Sequence, residues 1–505
     1  MSESTAPGLG PREFLRWIWR QWTSMRTALL LLFLLAVAAI PGSVVPQLDV
    51  DSVRASQWQQ QHPKLTPIYE RLGLFDVYGS VWFSAIYLLL MVSLIGCILP
   101  RCAVYWRAVR AQPPTPPSRL ERLPEHRVAS GSHVPGVTEA LRDQGFRIRS
   151  GEGWVAAEKG YLREAGNLLF HASLLVVLVG VACGSLFGYQ GGVMVVSGGG
   201  FANSLSQYDD FRPGALFDAD RLNPFRFTVD DFDVTFIEEG RSAGMAHKFA
   251  ADLTHQASPG APEQHSRISV NHPLSVDGTD VFLIGHGYAP VITIRDSSGE
   301  VAYSGPTIFL PEDQSFRSFG VVKVPDASGD VDLGFEGELY PTYGTRGGLP
   351  FSAYPDAKDP LVSLELYRGN LGMDDGIPQS VYSLDKSRLT KVKLASGKPW
   401  RSNIGLGQTA KLPDGLGTIT FDSMQRFVKL QVSRSPADWV ALLGVCLALL
   451  GLMASLFVRP RRVWARYDAA TDSTEVAGLD RSSGGDLGAD LDELIGALAP
   501  RKDTT

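Results

Sequence analysis

The stretch GNLLFHASLLVVLVG holds a single histidine, His171, which is the only ionisable side chain well inside a long apolar run, cysteines aside. A polar group in hydrocarbon is costly and faces a partner or a cavity. Imidazole suits two roles in such a place. One nitrogen can ligate haem iron while the other donates to a nearby acceptor. Alternatively, the ring hydrogen-bonds a backbone carbonyl near the interface and has no further task. The residue types leave both open. Asn167, one turn earlier on the same helical face, is a candidate partner for the second nitrogen.

Other candidates carry less chemistry. His272 and His286 lie in SVNHPLSVDGTDVFLIGHGYAP, and His62 precedes Pro63. Histidines near turns of a β domain are more often surface or packing residues than ligands, so His272 and His286 rank below His171 as haem-site residues. No HExxH, paired-carboxylate or P-loop pattern accompanies them, and the glycines at 198–200 lack the strand-and-helix context of a dinucleotide site. The four cysteines, Cys97, Cys102, Cys183 and Cys446, all fall within or beside apolar runs without a CxxC. They read as small packing residues, and dithiol exchange has nothing to run on. Trp17, Trp19 and Trp22 suit a membrane interface better than a planar ligand. No catalytic constellation is expected from these residues, and His171 is the one candidate for a metal contact, through haem iron.

Four apolar spans position these residues: Met25–Val45, Val81–Cys102, Leu168–Phe187 and Trp439–Val458. Each is near the ~20 residues needed to cross a ~30 Å hydrocarbon layer. The first reads as a retained anchor, because no small-x-small cleavage site follows it. Arg12, Arg16, Arg20 and Arg26 lead into the first span. Arg101, Arg107 and Arg110 follow the second, and Arg459, Arg461, Arg462 and Arg466 follow the fourth. This asymmetry places both termini and segment 103–167 in the cytoplasm of a multi-pass plasma-membrane protein. The loop 46–80 and the insert 188–436 then lie outside.

The fold class expected is therefore a multi-pass α-helical membrane protein with four transmembrane helices and a large extracytoplasmic, mainly-β domain. In the insert, VITIRD (291–296), LVSLELYRG (361–369), LGTITFDS (416–423) and FVKLQVSR (427–434) alternate with a two-residue period. FRFTVDDFDVTFIEE breaks register at Asp230-Asp231, where a bulge is expected. The insert has 30 Asp/Glu against 22 Lys/Arg, which argues against nucleic acid as a partner. Segment 103–167 contains the proline-rich linker AQPPTPPSR, then a helix in VTEALRDQGF and a hairpin in FRIRS-GEG-WVAAEKG. Residues 1–24 form an interfacial lead. The stretch 459–505 is expected to be a largely disordered tail with one short helix at Leu491–Leu498.

Several segments together resemble the ResB family, also called CcsB, of System II cytochrome c biogenesis. They are SMRTALLLLFLLAVAAIPGSVVPQ, YERLGLFDVYGSVWFSAIYLLLMVSLIGCILPR, GNLLFHASLL, VNHPLSVDGTDVFLIGHGYAP and FVRPRRVWA, in a two-one-one arrangement of spans from about residue 15 to 467. The resemblance implies a subunit that moves haem b to the outer face and presents it to apocytochrome c. It further implies a membrane partner of the CcsA (ResC) type, which carries a tryptophan-rich haem-handling motif that this chain lacks, and a thioredoxin-like thiol reductant. The family's intramembrane histidine falls on His171, implying an axial haem ligand completed by the partner. The segment RSPADWVALLG departs from the Asp-Pro-Gly-like stretch of many members. A haem-free scaffold that stabilises the partner and recruits apocytochrome c is the alternative function. An independent transporter is disfavoured by the absence of an inverted repeat, and a thiol reductase by the absence of external cysteines.

Overall fold

The computed structural model describes residues 10–48, 55, 58–59, 61–240, 242–327, 331–376, 379–481 and 486–498. Four of its helices are long and apolar enough to cross a membrane. An amphipathic lead, α1 (Pro11–Trp22), precedes α2 (Met25–Val44). Ser24 caps α2 by accepting from the Thr27 N–H at 3.2 Å, and Ser80 caps α3 (Val81–Arg110) by accepting from Phe83 at 3.3 Å. Two further turns carry α3 past the expected Cys102 to Arg110, where the proline-rich linker ends it. Trp17, Trp19 and Trp22 are each about half exposed on α1. A Cβ on Gly96 would lie 1.9 Å from the Thr23 Cγ2, and Cys97 donates to the Thr23 carbonyl at 3.0 Å. Cys97 is thus a packing residue between the α1–α2 junction and α3.

The other two spans approach more closely. After α4 (Val134–Asp143), α5 (Leu162–Phe187) runs antiparallel to α6 (Asp438–Phe457). Gly166, Ser173 and Gly180 recur every seven residues and are the buried positions of α5, as Gly444 and Gly451 are of α6. A Cβ on Gly451 would sit 2.6 Å from the Phe170 nitrogen, and one on Gly180 2.7 Å from the Ala441 nitrogen. Lipid tails are as apolar as leucine, so burial of leucine does not drive such pairing. Small residues that let backbones meet do.

Both helices end in one five-stranded sheet, ordered Glu125–Ser130, Ser473–Asp480, Arg461–Asp468, Trp154–Lys159, Arg147–Gly151. α4 and α7 (Leu487–Leu498) cover one face over Val155, Ala157, Val463 and Val476. On the other face Trp464 is buried, and its indole N–H donates to the Pro114 carbonyl at 3.0 Å. This corrects the reading of the C-terminal stretch as a largely disordered tail, although residues 482–485 and 499–505 of it lie outside the described residues. Its composition is polar because only alternate positions are buried. Their partners come from Trp154–Lys159, about 300 residues earlier, where Glu158 accepts from Arg462 at 3.0 Å.

Residues 182–437 form a separate β unit. Two 17-residue strands, Thr279–Arg295 and Thr418–Arg434, pair antiparallel from Asp280↔Ser433 to Arg295↔Thr418. One half of this ribbon lends Val281, Leu283, Leu430 and Val432 to a core with Phe201, Phe227 and Val229. The other half lends Ile292, Ile294, Ile419 and Phe421 to a core with Phe335, Leu364 and Trp400. The separate segments 416–423 and 427–434 are therefore one strand. Met424, Gln425 and Arg426 stay in the ladder opposite Pro290, Ala289 and Tyr288. The register shift between Val229 and Asp231 is the expected bulge.

His286 lies on this ribbon, only 9% exposed. Phe316 stacks on its ring at 4.7 Å, with Phe232 at 5.1 Å, Phe249 at 5.7 Å and Phe236 at 6.1 Å. Its Nδ1 is buried without a hydrogen-bond partner. Burial, and then the charge of Arg426, pushes the imidazole down to about 4 from 6.5.

Two outcomes are expected. Gly451→Leu should destabilise the α5–α6 pair by about 1–3 kcal/mol through overpacking, read as a lower melting temperature of the detergent-purified chain. Leu450→Ala, on the exposed side of α6, should change it little. For His286, the unfolded chain binds a proton between pH 6.5 and 4 that the folded chain does not. Stability of the β unit should therefore fall by about 3 kcal/mol as pH drops through that window and stay flat above it. Thermal melts from pH 7.5 to pH 4.5 check this, and His286→Leu should flatten the slope.

Candidate functional site

The site is built from the base of α5 upward. Gly160, at φ +84°, turns the strand Trp154–Lys159 into α5, and a Cβ there would lie 2.0 Å from the Arg459 carbonyl oxygen. Only glycine permits that approach in that conformation. α6 passes at the same level into the strand Arg461–Asp468, which pairs with Trp154–Lys159. The two helices are thus tied by their backbones at one end and by the glycine seam along their length. His171 stands nine residues into α5, about 14 Å along its axis at 1.5 Å per residue.

Phe170 has its backbone nitrogen against α6, so His171 is turned off the seam, and it lies about 140° around the helix from Gly166. The imidazole is half-buried, with the Phe170 ring edge-on at 5.3 Å. Its Nδ1 is 2.8 Å from the carbonyl oxygen of Asn167. A carbonyl only accepts, so Nδ1 carries the proton and donates, and Nε2 keeps its lone pair. That is the tautomer a metal-ligating imidazole needs, held by an acceptor on the same helix. Asn167 acts through its backbone rather than its side-chain amide, so other residue types there would serve as well. Two turns further along α5, the Tyr87 hydroxyl of α3 donates to the Leu178 carbonyl at 3.1 Å.

The other histidine candidates have different surroundings. His62 bonds the Trp58 carbonyl at 3.1 Å and stacks on the Trp58 ring at 4.4 Å, within a cluster that includes Tyr69. His272 is exposed in a turn, with Nδ1 3.1 Å from the Val270 carbonyl. His286 is the phenylalanine-walled core residue described above. His272 and His286 both belong to the β unit, whereas His171 belongs to the helical one. Among the described residues, no group of three His, Cys, Asp or Glu side chains could hold a metal ion. The four cysteines are free. The hydrogen bond from the His171 ring to the Asn167 carbonyl was not legible in the sequence, whereas the seam is written there as small residues at seven-residue spacing.

The sequence profile of the ResB-like family matches residues 25–492. The chain is 25% identical over 510 residues to the cytochrome c biogenesis protein CcsB of Synechococcus sp. (strain CC9311), covering 97% of this chain and 99% of that one. It is 25% identical to the CcsB of Synechococcus sp. (strain JA-2-3B'a(2-13)) over 61% of this chain and 67% of the relative. With the CcsB of Gloeobacter violaceus it shares 26% identity, covering 51% of this chain and 54% of the relative. The match runs from α2 to the C-terminal helix, and the chain belongs to the ResB-like family.

Proposed function

We propose that this chain acts in cytochrome c biogenesis as the subunit that, with a membrane partner of the CcsA type, carries haem b outward and presents it to apocytochrome c. The names of its relatives support the pathway. The observation that carries the haem role is His171, an imidazole within a span whose Nδ1 is committed to the Asn167 carbonyl and whose Nε2 is left to ligate. Imidazole is an axial ligand of haem iron, and a second one would come from the partner. Sharing the iron between two subunits would shield it from oxygen on the way out.

In this reading the chain is not itself an enzyme. Thioether formation between haem vinyls and the cysteines of apocytochrome c is largely a positioning problem, and it belongs to the complex. The β unit, with Ala182–Ala437 as its limits, lies on the outer face of the plasma membrane with both termini inside. There it docks apocytochrome c, the partner or a thioredoxin-like reductant.

In a complex co-purified with the partner, His171→Ala should lower haem content by about tenfold or more, and added imidazole should restore the spectrum of the reduced haem. Pyridine haemochrome content and absorption spectra measure both. Full haem content with an unchanged spectrum would instead make the chain a haem-free scaffold, with His171 a structurally satisfied residue.

A further inference from the structure

A cavity of about 410 Å³ opens at the base of α5, between the end of α3 and the sheet strands. Its walls carry Arg147, Arg163, Arg462 and Arg481 against Glu158 and Glu164, so four positive charges face two negative ones. Glu158 is shared by Arg462, at 3.0 Å, and Arg147, at 3.7 Å. Arg163 donates to the Arg481 carbonyl at 3.1 Å, and among the described residues neither Arg163 nor Arg481 has a carboxylate partner. The Nε of Arg147 is buried without a hydrogen-bond partner, although another nitrogen of the same group reaches the Val109 carbonyl. The cavity therefore has an unmatched charge of two and donors without acceptors.

One stripe of α5 joins this cavity to His171. Glu164 and Asn167 line it, and His171 follows at i+7 and i+4 on the same face. Helical side chains lean toward their own N-terminus, so the imidazole inclines toward the cavity, one turn or about 5.4 Å away.

We infer that this arginine cavity holds the two carboxylates of the haem whose iron is bound by His171. Haem carries both propionates on one edge, and that edge would face the arginines while the apolar remainder of the ring lies among the spans. Guanidinium forks match carboxylates two bonds at a time, and two propionates neutralise the two excess charges. The inference rests on the haem-carrying reading above and adds which edge of the haem leads and what holds it. A phosphate headgroup of an anionic lipid offers similar oxygen chemistry, and the experiment separates the two.

The full chain, purified with its membrane partner and freed of haem, is placed in nanodiscs of phosphatidylcholine alone and titrated with haemin and with haemin dimethyl ester. Wild type should prefer haemin by about tenfold to a hundredfold, the value of hydrogen bonds to charged groups. Arg163→Gln with Arg481→Gln should lose that preference by weakening haemin alone, keep the ligated-iron spectrum and keep the melting temperature. Arg163→Lys with Arg481→Lys should recover part of it. His171→Ala should do the reverse, changing the iron spectrum with both porphyrins while the preference for free carboxylates persists. Equal affinities in wild type, or an equal loss for both porphyrins in the glutamine variant, would overturn the inference and leave His171 as ligand untouched. If adding phosphatidylglycerol to the discs erases the preference, the cavity belongs to a lipid headgroup and the inference falls.

Discussion

Everything around His171 depends on how closely α5 and α6 can approach. Gly166, Gly180, Gly444 and Gly451 bring backbone to backbone at separations that no Cβ would tolerate. Because lipid gives leucine no reason to leave it, this contact rests on packing and geometry rather than on burial. It fixes the rotation of α5 about its axis. With Phe170 against Gly451, the next residue has to project off the seam, where a ligand or another subunit can reach it. A larger residue at Gly451 would move the imidazole as well as the helix.

The sheet at the base supplies the second constraint. A strand enters α5 at Gly160 and another leaves α6 at Pro460, and the two pair directly from Arg461↔Lys159 to Arg466↔Trp154. Helix register is therefore set twice, once in the apolar seam and once by a hydrogen-bonded ladder outside it. The rotation and axial position of α5 are held by both together. The ring of His171 is oriented by an intrahelical carbonyl, that of Asn167.

Much of this was legible in the sequence, and the missing parts share a cause. The four spans, the alternation of the insert and the bulge at Asp230-Asp231 are local patterns of period 3.6 or 2, and they were readable. His171 stood out because a polar residue in hydrocarbon is rare. The long β ribbon was read as pieces because Met424–Arg426 interrupts the alternation while keeping the ladder. The C-terminal strands were read as disordered because a strand half-covered by charges, such as Arg461 and Arg466, has the composition of a tail. Their partners lie far away in sequence. The arginines of the basal cavity come from positions 147, 163, 462 and 481, and no window of the chain contains more than two of them. Their convergence is a product of sheet order, and sheet order is non-local.

His171 and His286 are satisfied in different ways. His286 is buried, whereas His171 is half-buried. His286 is enclosed by four phenylalanines, with its Nδ1 unpaired, and its neutrality is enforced by exclusion of water and by Arg426. Nothing orients its ring toward an outside group, and the energetic consequence is paid in acid stability of the β unit. His171 has one nitrogen satisfied by a fixed acceptor and the other unclaimed, on a helix whose rotation is locked from two sides. The useful distinction is therefore which nitrogen is satisfied and by what. The Nδ1 of His171 is satisfied by its own helix and its Nε2 remains free to accept, whereas the Nδ1 of His286 is buried without a partner and burial favours the neutral ring.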